Sequence, residues 1–367
     1  MKNNHTYVPI LKYREAEILS LRDLNQQQKD DIVPLLQLVH HYKNEYTKDE
    51  EGNKIAVRRE LSPNEVLKKA LDDIRKYIND TRLFLDVSIL FPTSKDYAWT
   101  QIAESLMTLF GNKVVIVMTP EDVVTQTLSQ TVKDCVSQKG IALRVNKAIL
   151  SENFWETVDE NLSRMGLERK NVDLILDYQL PDDEMVAHAI QQLQNKNNTV
   201  NWRSVTIASG AFVENLMGYE PGNHDLKRVD WSAWNQILSA PEVSDLTNLG
   251  YGDYTIQYPL YTPPPARMNA SRSVRYAKED KWVIIKGLTD TAKNSAKTKQ
   301  YYAHAQVLVG EGISCGENCC WGDKLIHEIN NKVHQKYGNS STWVRVGITH
   351  HISLTIKQLA SFGQSSD

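Results

Sequence analysis

Four charged residues stand at or near the ends of runs that are mostly apolar. Lys12 closes Tyr7-Val8-Pro9-Ile10-Leu11-Lys12, Asp86 follows Leu83-Phe84-Leu85, Arg144 follows Ile141-Ala142-Leu143, and Asp177 closes Val172-Asp173-Leu174-Ile175-Leu176-Asp177. A charge in an apolar strand is costly unless it is paired, so these four are expected to meet. The two cations suit a phosphate or other anionic group. The two carboxylates suit a water or a divalent metal such as magnesium or manganese. The same four residues also suit an ionic layer that satisfies itself and does no chemistry. Lys12, by position alone, admits a Schiff-base lysine as well.

What must position these residues is a repeating unit. Short segments rich in Val, Ile and Leu recur at Tyr7 to Lys12, Ile32 to Val39, Leu83 to Leu90, Val114 to Thr119, Ile141 to Val145, Val172 to Tyr178 and Ser204 to Ser209. Helical patterns lie between them: Arg14 to Leu24, Ser62 to Ile78, Asp96 to Phe110, Pro120 to Ser137, Glu152 to Met165, Asp182 to Leu193 and Trp231 to Leu238. Gly111, Gly140 and Gly166 stand where helices should stop. Strands alternating with helices pair in parallel, because each crossover returns the chain to the same end of the sheet. With an eighth strand near Leu249 to Ile256, the expected fold is α/β, a parallel (β/α)8 TIM-like barrel over residues 1–260. An open doubly wound sheet competes, but no Gly-x-Gly-x-x-Gly follows any strand.

Barrel chemistry gathers at the carboxyl ends of the strands, where Lys12, Gln37, Asp86, Thr119, Arg144, Asp177 and Ser209 supply the polar residues. Alternation puts Arg144 on a face with Ala142 and Asn146, leaving Leu143 and Val145 to pack on helices. Whether Asp253 reaches the mouth depends on which face it shares, since Asp253, Thr255 and Gln257 alternate with Tyr254, Ile256 and Tyr258. The charged stretch Lys48 to Lys54 reads as a solvated loop or a lid.

Beyond Thr262-Pro263-Pro264-Pro265 the pattern changes. Residues 261–347 are expected to form an α+β insertion or extension: a hairpin of Ser273 to Ala277 and Trp282 to Lys286, then helices over Ala296 to Val309 and Asp323 to His334. Residues 348–367 hold a C-terminal helix that could be the last of the barrel, with His350 and His351 just before it as a general acid or base, or as a cap. Cys315, Cys319 and Cys320 with His327 offer three thiols and an imidazole for zinc, though the spacing favours reduced free thiols.

A formal net charge of -3 argues against a global attraction to nucleic acid or an anionic membrane. No apolar run approaches the roughly 20 residues of a spanning helix, and the first six residues carry no signal core. A soluble, cytoplasmic protein is expected, with no disulfide framework among its four cysteines.

The chain resembles a known family at its opening Tyr7 to Lys12 with Glu15 and Leu21, and at Pro34-Leu35-Leu36, Leu143-Arg144 and Asp173 to Asp177. The likeness continues at Gly252-Asp253-Tyr254, Arg275-Tyr276, Trp282, Gly287, Trp321-Gly322-Asp323, Trp343-x-Arg345 and His350-His351-Ile352. These residues resemble the bacterial and viral "beta protein" family, named from a bacteriophage protein. Gln37 departs from the acidic residue usual there, which weakens an enzymatic role for that position, and the Cys319-Cys320 pair departs as well. The resemblance implies a setting of phage genomes and antiviral defence, and it singles out Lys12, Arg144, Asp177, Asp253, Arg275 and His351. From these come two expectations. One is a phosphodiesterase-like or other hydrolase acting on a nucleotide or other phosphate-bearing substrate. In it Lys12, Arg144, Asp253, Tyr254 and Arg275 bind, and Asp86, Asp177, His350 and His351 catalyse. The other is a non-catalytic sensor of a phage-derived ligand, working with a partner protein encoded nearby.

Overall fold

The apolar runs become short buried strands. In the computed structural model, which describes residues 5–48, 51, 53–105, 113–125, 128–147, 154–195, 200–244, 246, 249–265, 269–333 and 336–362, thirteen strands follow one another. They are β1 (Tyr7–Lys12), β2 (Leu35–Gln37), β3 (Tyr42–Lys48), β4 (Lys54–Glu60), β5 (Leu83–Asp86), β6 (Val114–Met118), β7 (Ile141–Asn146), β8 (Val172–Asp177), β9 (Ser204–Ser209), β10 (Gly222–Lys227), β11 (Leu249–Asp253), β12 (Val274–Ala277) and β13 (Lys281–Lys286). Eight of them close a barrel in the order β1-β11-β9-β8-β7-β6-β5-β2. Every pair in it is parallel, with helices between the strands, so the fold is a TIM barrel.

Side-chain alternation sorts each strand into two cores. Val8, Ile10, Leu35, Phe84, Val115, Val117, Ala142, Ile175 and Ala208 fill the barrel, while Leu11, Leu85, Ile116, Leu143, Val145 and Leu176 pack beneath the helices. At the amino end Asp173 is held by Arg82 and Arg203, each at 2.6 Å, and by Ser204. The barrel is therefore a packed plug, and chemistry is left to its carboxyl end.

Several elements differ from expectation for local reasons. The second strand is three residues long rather than Ile32 to Val39, and at its amino end Pro34 has no N–H for the ladder. Residues around Lys48 to Lys54 belong to a β3-β4 hairpin rather than an irregular loop, although 49, 50 and 52 lie outside the described residues. The two strands pair antiparallel, and side chains add to the ladder: Arg59 bonds Glu45 at 2.8 Å, and Arg58 stacks on Tyr42 at 3.8 Å. The helix expected over Pro120 to Ser137 divides into Pro120–Thr125 and Gln130–Lys139, because Ser129 starts a new helix as its N-cap. Gly140 and Gly166 adopt φ of +73° and +72° after their helices. Gly111 and the end of the helix expected to reach Phe110 lie outside the described residues.

The hairpin after the proline stretch forms as β12-β13, and β10, from a segment expected to be a loop, adds a third strand in the order β10-β13-β12. The C-terminal helix is longer than expected, running over Ser340–Phe362, so His350 and His351 sit in its middle. It serves two cores: Ile348, Ile352, Ile356 and Leu359 pack with the barrel, and Trp343 and Val346 with the small sheet. A Cβ on Gly347 would lie 2.7 Å from the Arg275 carbonyl oxygen, so only glycine lets the helix press this closely on β12.

Candidate functional site

Strands β5 and β8 end in Asp86 and Asp177, β7 carries Arg144 two residues before its end, and alternation turns all three inward. Arg144 Nη1 donates to Asp86 Oδ2 at 2.6 Å, and its Nη2 and Nε donate to Asp177 Oδ2 at 2.6 and 2.8 Å. The Tyr254 hydroxyl donates to the same Asp177 oxygen at 2.6 Å, and the Gln37 amide approaches Asp86 at 3.4 Å. Each aspartate also holds its own strand-to-loop turn, Asp86 Oδ1 accepting from the Ser88 N–H and Asp177 Oδ1 from the Gln179 N–H. Burial opposes the Arg144 charge, yet Tyr254, Asp177 and Asp86 hold its pKa well above the ordinary value. The guanidinium thus occupies the gap in which a metal would lie between the carboxylates. Among the described residues, groups of three metal-capable side chains gather around Asp323 and not here.

Beside this layer a cavity of about 970 Å³ opens between the barrel, the proline stretch Pro263 to Pro265, and the start of the C-terminal helix. Lys12, Arg14, Glu17, Arg275 and Lys286 line it. Lys12 Nζ donates to the Tyr258 carbonyl oxygen and lies 5.9 Å from the centre of the Tyr254 ring. Burial, helped by the neighbouring Arg14, lowers its pKa to about 8. Glu17 sits in the first turn of the helix Glu15–Arg22 and is 2% exposed. Its Oε1 accepts from Gln257 at 3.4 Å, and its Oε2 has no partner among the described residues. Burial pushes its pKa up to about 7, against the pull of Arg14, Lys12 and Arg275. Arg275 donates to the Ile256 carbonyl oxygen at 2.9 Å and stacks on Phe212, and burial lowers it to about 10 with Glu17 opposing. The Arg14 side chain makes no hydrogen bond or salt bridge with a described residue.

Asp253, His350 and His351, expected at the mouth, are placed elsewhere. Asp253 ends β11 but shares the outward face with Tyr251, so it accepts from the Tyr7 hydroxyl at 2.8 Å and meets His351 Nε2 at 2.7 Å beneath the C-terminal helix. His350, one residue earlier and about 100° around that helix, faces the small sheet instead, between Asp323 and the Ala277 carbonyl oxygen. Thr119 caps the helix after β6 through Asp122. Cys315 and Cys319 form a disulfide where free thiols were expected, being brought together in one turn with Cα atoms 6.2 Å apart. His327 bonds Ser314, apart from any cysteine set.

The His351–Asp253 pair yields a stability test. The ring donates from Nε2 and leaves Nδ1 without a partner among the described residues, as a neutral histidine would. Burial depresses its pKa below 6.5 despite the attraction of Asp253. The unfolded chain therefore binds the proton first, and stability is full above about pH 6.5 and falls as the pH drops. His351→Gln is expected to flatten the loss between about pH 7 and pH 5 in urea titrations. An unchanged slope would remove His351 from the account.

Glu17, Arg14, Gln257 and Lys286 were not expected at the site. A signal for Glu17 existed: it shares a helical face with Leu21 and Leu24, both buried. Lys286 and Gln257 carry no such mark, because they reach the cavity through loop and sheet geometry.

A family model described as "Beta protein" matches residues 7–357. No curated protein matches the chain. Among solved structures, the chain is similar to the catalytic module of a family 98 glycoside hydrolase from Streptococcus pneumoniae TIGR4, at 10% identity and a TM-score of 0.41. That likeness covers 69% of this chain and 47% of the other, so the chain spans about half the length of that structure. It is too distant to carry an argument about chemistry. No helix of the described residues is long and apolar enough to cross a membrane.

Proposed function

Because the chain belongs to the Beta protein family, we propose that it is a cytoplasmic barrel enzyme of phage–host conflict that binds and hydrolyses a nucleotide or other phosphate-bearing small molecule. The setting rests on the family alone. The chemistry is supported by one observation: a cavity beside the barrel mouth gathers Lys12, Arg14 and Arg275 around a buried carboxyl group with an unpartnered oxygen. Cations whose own anionic partners are few are poised to hold phosphate oxygens. Glu17, protonated below about pH 7, is poised to give its proton to the leaving oxygen as water attacks phosphorus and the P–O bond breaks. Glu17 so takes the acid role expected of His350 or His351. Asp86 and Asp177, tied to Arg144, hold the shape of the mouth.

Binding should then depend on pH. An anion is favoured while Glu17 is neutral and Lys12 is charged, so affinity is expected to be highest below about pH 7 and to fall as the pH rises through 8. Titration calorimetry with inorganic phosphate and a panel of nucleotides checks this. Lys12→Ala should weaken the binding compound by about tenfold or more, the size of a lost charged hydrogen bond. If no phosphate-bearing compound binds, the reading fails. The satisfied Arg144 layer favours a second reading, a sensor that binds the same ligand without turnover and signals to a partner protein encoded nearby.

A further inference from the structure

Away from the cavity, where β12 meets the C-terminal helix, the geometry points to a zinc site formed by Cys320, Asp323 and His350. Cys320 is the N-cap of the helix Trp321–Asn330, with Asp323 one turn on. His350 approaches from the C-terminal helix. The other two converge on one oxygen of Asp323: its Oδ2 lies 2.8 Å from His350 Nδ1 and 3.0 Å from Cys320 Sγ. The other Asp323 oxygen is taken by the Tyr276 hydroxyl at 2.7 Å.

The surroundings of His350 make a cation the natural centre. Its Nδ1 faces a carboxylate and its Nε2 faces the Ala277 carbonyl oxygen at 2.9 Å, and both partners only accept. A neutral ring carries one proton and satisfies one of them; a ring protonated on both nitrogens satisfies both, and so does a neutral ring with a metal on Nδ1. Zinc resolves this: the ring keeps its proton on Nε2 for the carbonyl, as metal-bound histidines commonly do, and turns the Nδ1 lone pair to the ion. Cys320 ligates as thiolate, its proton leaving to solvent. Thiolate, imidazole and carboxylate together suit zinc better than magnesium or manganese. Bonds of about 2.0–2.3 Å in a tetrahedron set ligand atoms roughly 3.3–3.6 Å apart, so the three side chains need open by only about half an ångström. The fourth position falls to water while Cys315 and Cys319 are joined, and one of these thiolates is near enough to fill it once the pair is reduced, since both sulfurs lie within 4.8 Å of an Asp323 oxygen. Such an ion would pin the small sheet to the C-terminal helix that also closes the barrel.

The test uses the full chain, kept reduced, equilibrated with Zn²⁺ or Co²⁺ and dialysed. One retained metal per chain is expected, and the Co²⁺ form should show thiolate-to-metal charge transfer. Cys320→Ser should abolish that band and His350→Gln should lower retention at least tenfold, while Cys135→Ser, at a buried cysteine elsewhere, changes neither. The proposal is overturned if the reduced wild type retains no metal, if bound Co²⁺ shows no thiolate transition, or if Cys320→Ser leaves the spectrum intact. Should the variants fail to fold, the wild-type metal content and spectrum still decide.

Discussion

Replacing Arg144 with alanine is expected to lower the stability of this protein by about 3–5 kcal/mol, the cost of stranding buried charge when one partner of an ion cluster is removed. The Arg144 side chain is 11% exposed, and its two aspartates are 1% and 2% exposed. Without the guanidinium, Asp86 and Asp177 face each other across a space too dry to hydrate either well. A domain of ordinary stability has about 5–15 kcal/mol in all, so the variant should unfold at a markedly lower urea concentration. Because the penalty belongs to the stranded carboxylates, adding Asp86→Asn and Asp177→Asn to Arg144→Ala should recover most of it. A loss below about 1 kcal/mol in the single variant would mean that water reaches the layer and that the mouth is more open than its geometry shows.

Glu17→Gln is expected to do the opposite to stability and, in the enzyme reading, to slow turnover. The Glu17 carboxyl rises from 4.5 to about 7 on folding. The folded state therefore binds the proton more tightly than the unfolded state, and stability declines as the pH rises from about 4.5 to 7. At about 1.4 kcal/mol per pKa unit, the cost of ionised Glu17 approaches roughly 3 kcal/mol above neutral pH. Glutamine cannot ionise, so the variant should gain up to that amount near pH 8 and almost nothing near pH 4. Denaturant titrations at the two pH values measure the difference directly. In the enzyme reading the same change removes the acid and slows turnover about 10²- to 10⁴-fold while the phosphate-bearing ligand still binds. Retained biological output with a stabilised Glu17→Gln protein would favour the sensor. A residue that costs stability where it sits is the kind of exchange functional sites make.

The inward set Asp86, Arg144 and Asp177 was legible because strand alternation and the price of an unpaired buried charge both point to it. Tyr254 joined them because the chain continues inward past the end of β11, with Thr255 at a φ of +55° turning it. Asp253 illustrates the limit. The residues around it alternate cleanly, yet alternation does not say which face is the interior, and the outward answer came from Tyr7 on β1 and His351 on a helix about a hundred residues further along. The β3-β4 hairpin was missed for a different reason: β3 is polar, and the apolar residues of β4, Ile55 and Val57, are exposed, so no buried face marks the pair.

The sequence by itself determined the number, order and parallel pairing of the barrel strands and three of the four charges expected to meet, Asp86, Arg144 and Asp177, while Lys12 bonds the Tyr258 carbonyl oxygen instead. Those follow from periodicity and from local chain chemistry, which act over a few residues. The tertiary structure alone decided that Arg144 is spent inside an ionic layer while Lys12, beside it, opens on the cavity with Arg275 and Glu17. It also decided that His350 and His351, adjacent in sequence, serve two different cores. Such outcomes depend on which distant side chain arrives first within hydrogen-bonding reach, and a consecutive pair on a helix is turned about 100° apart before any partner is chosen.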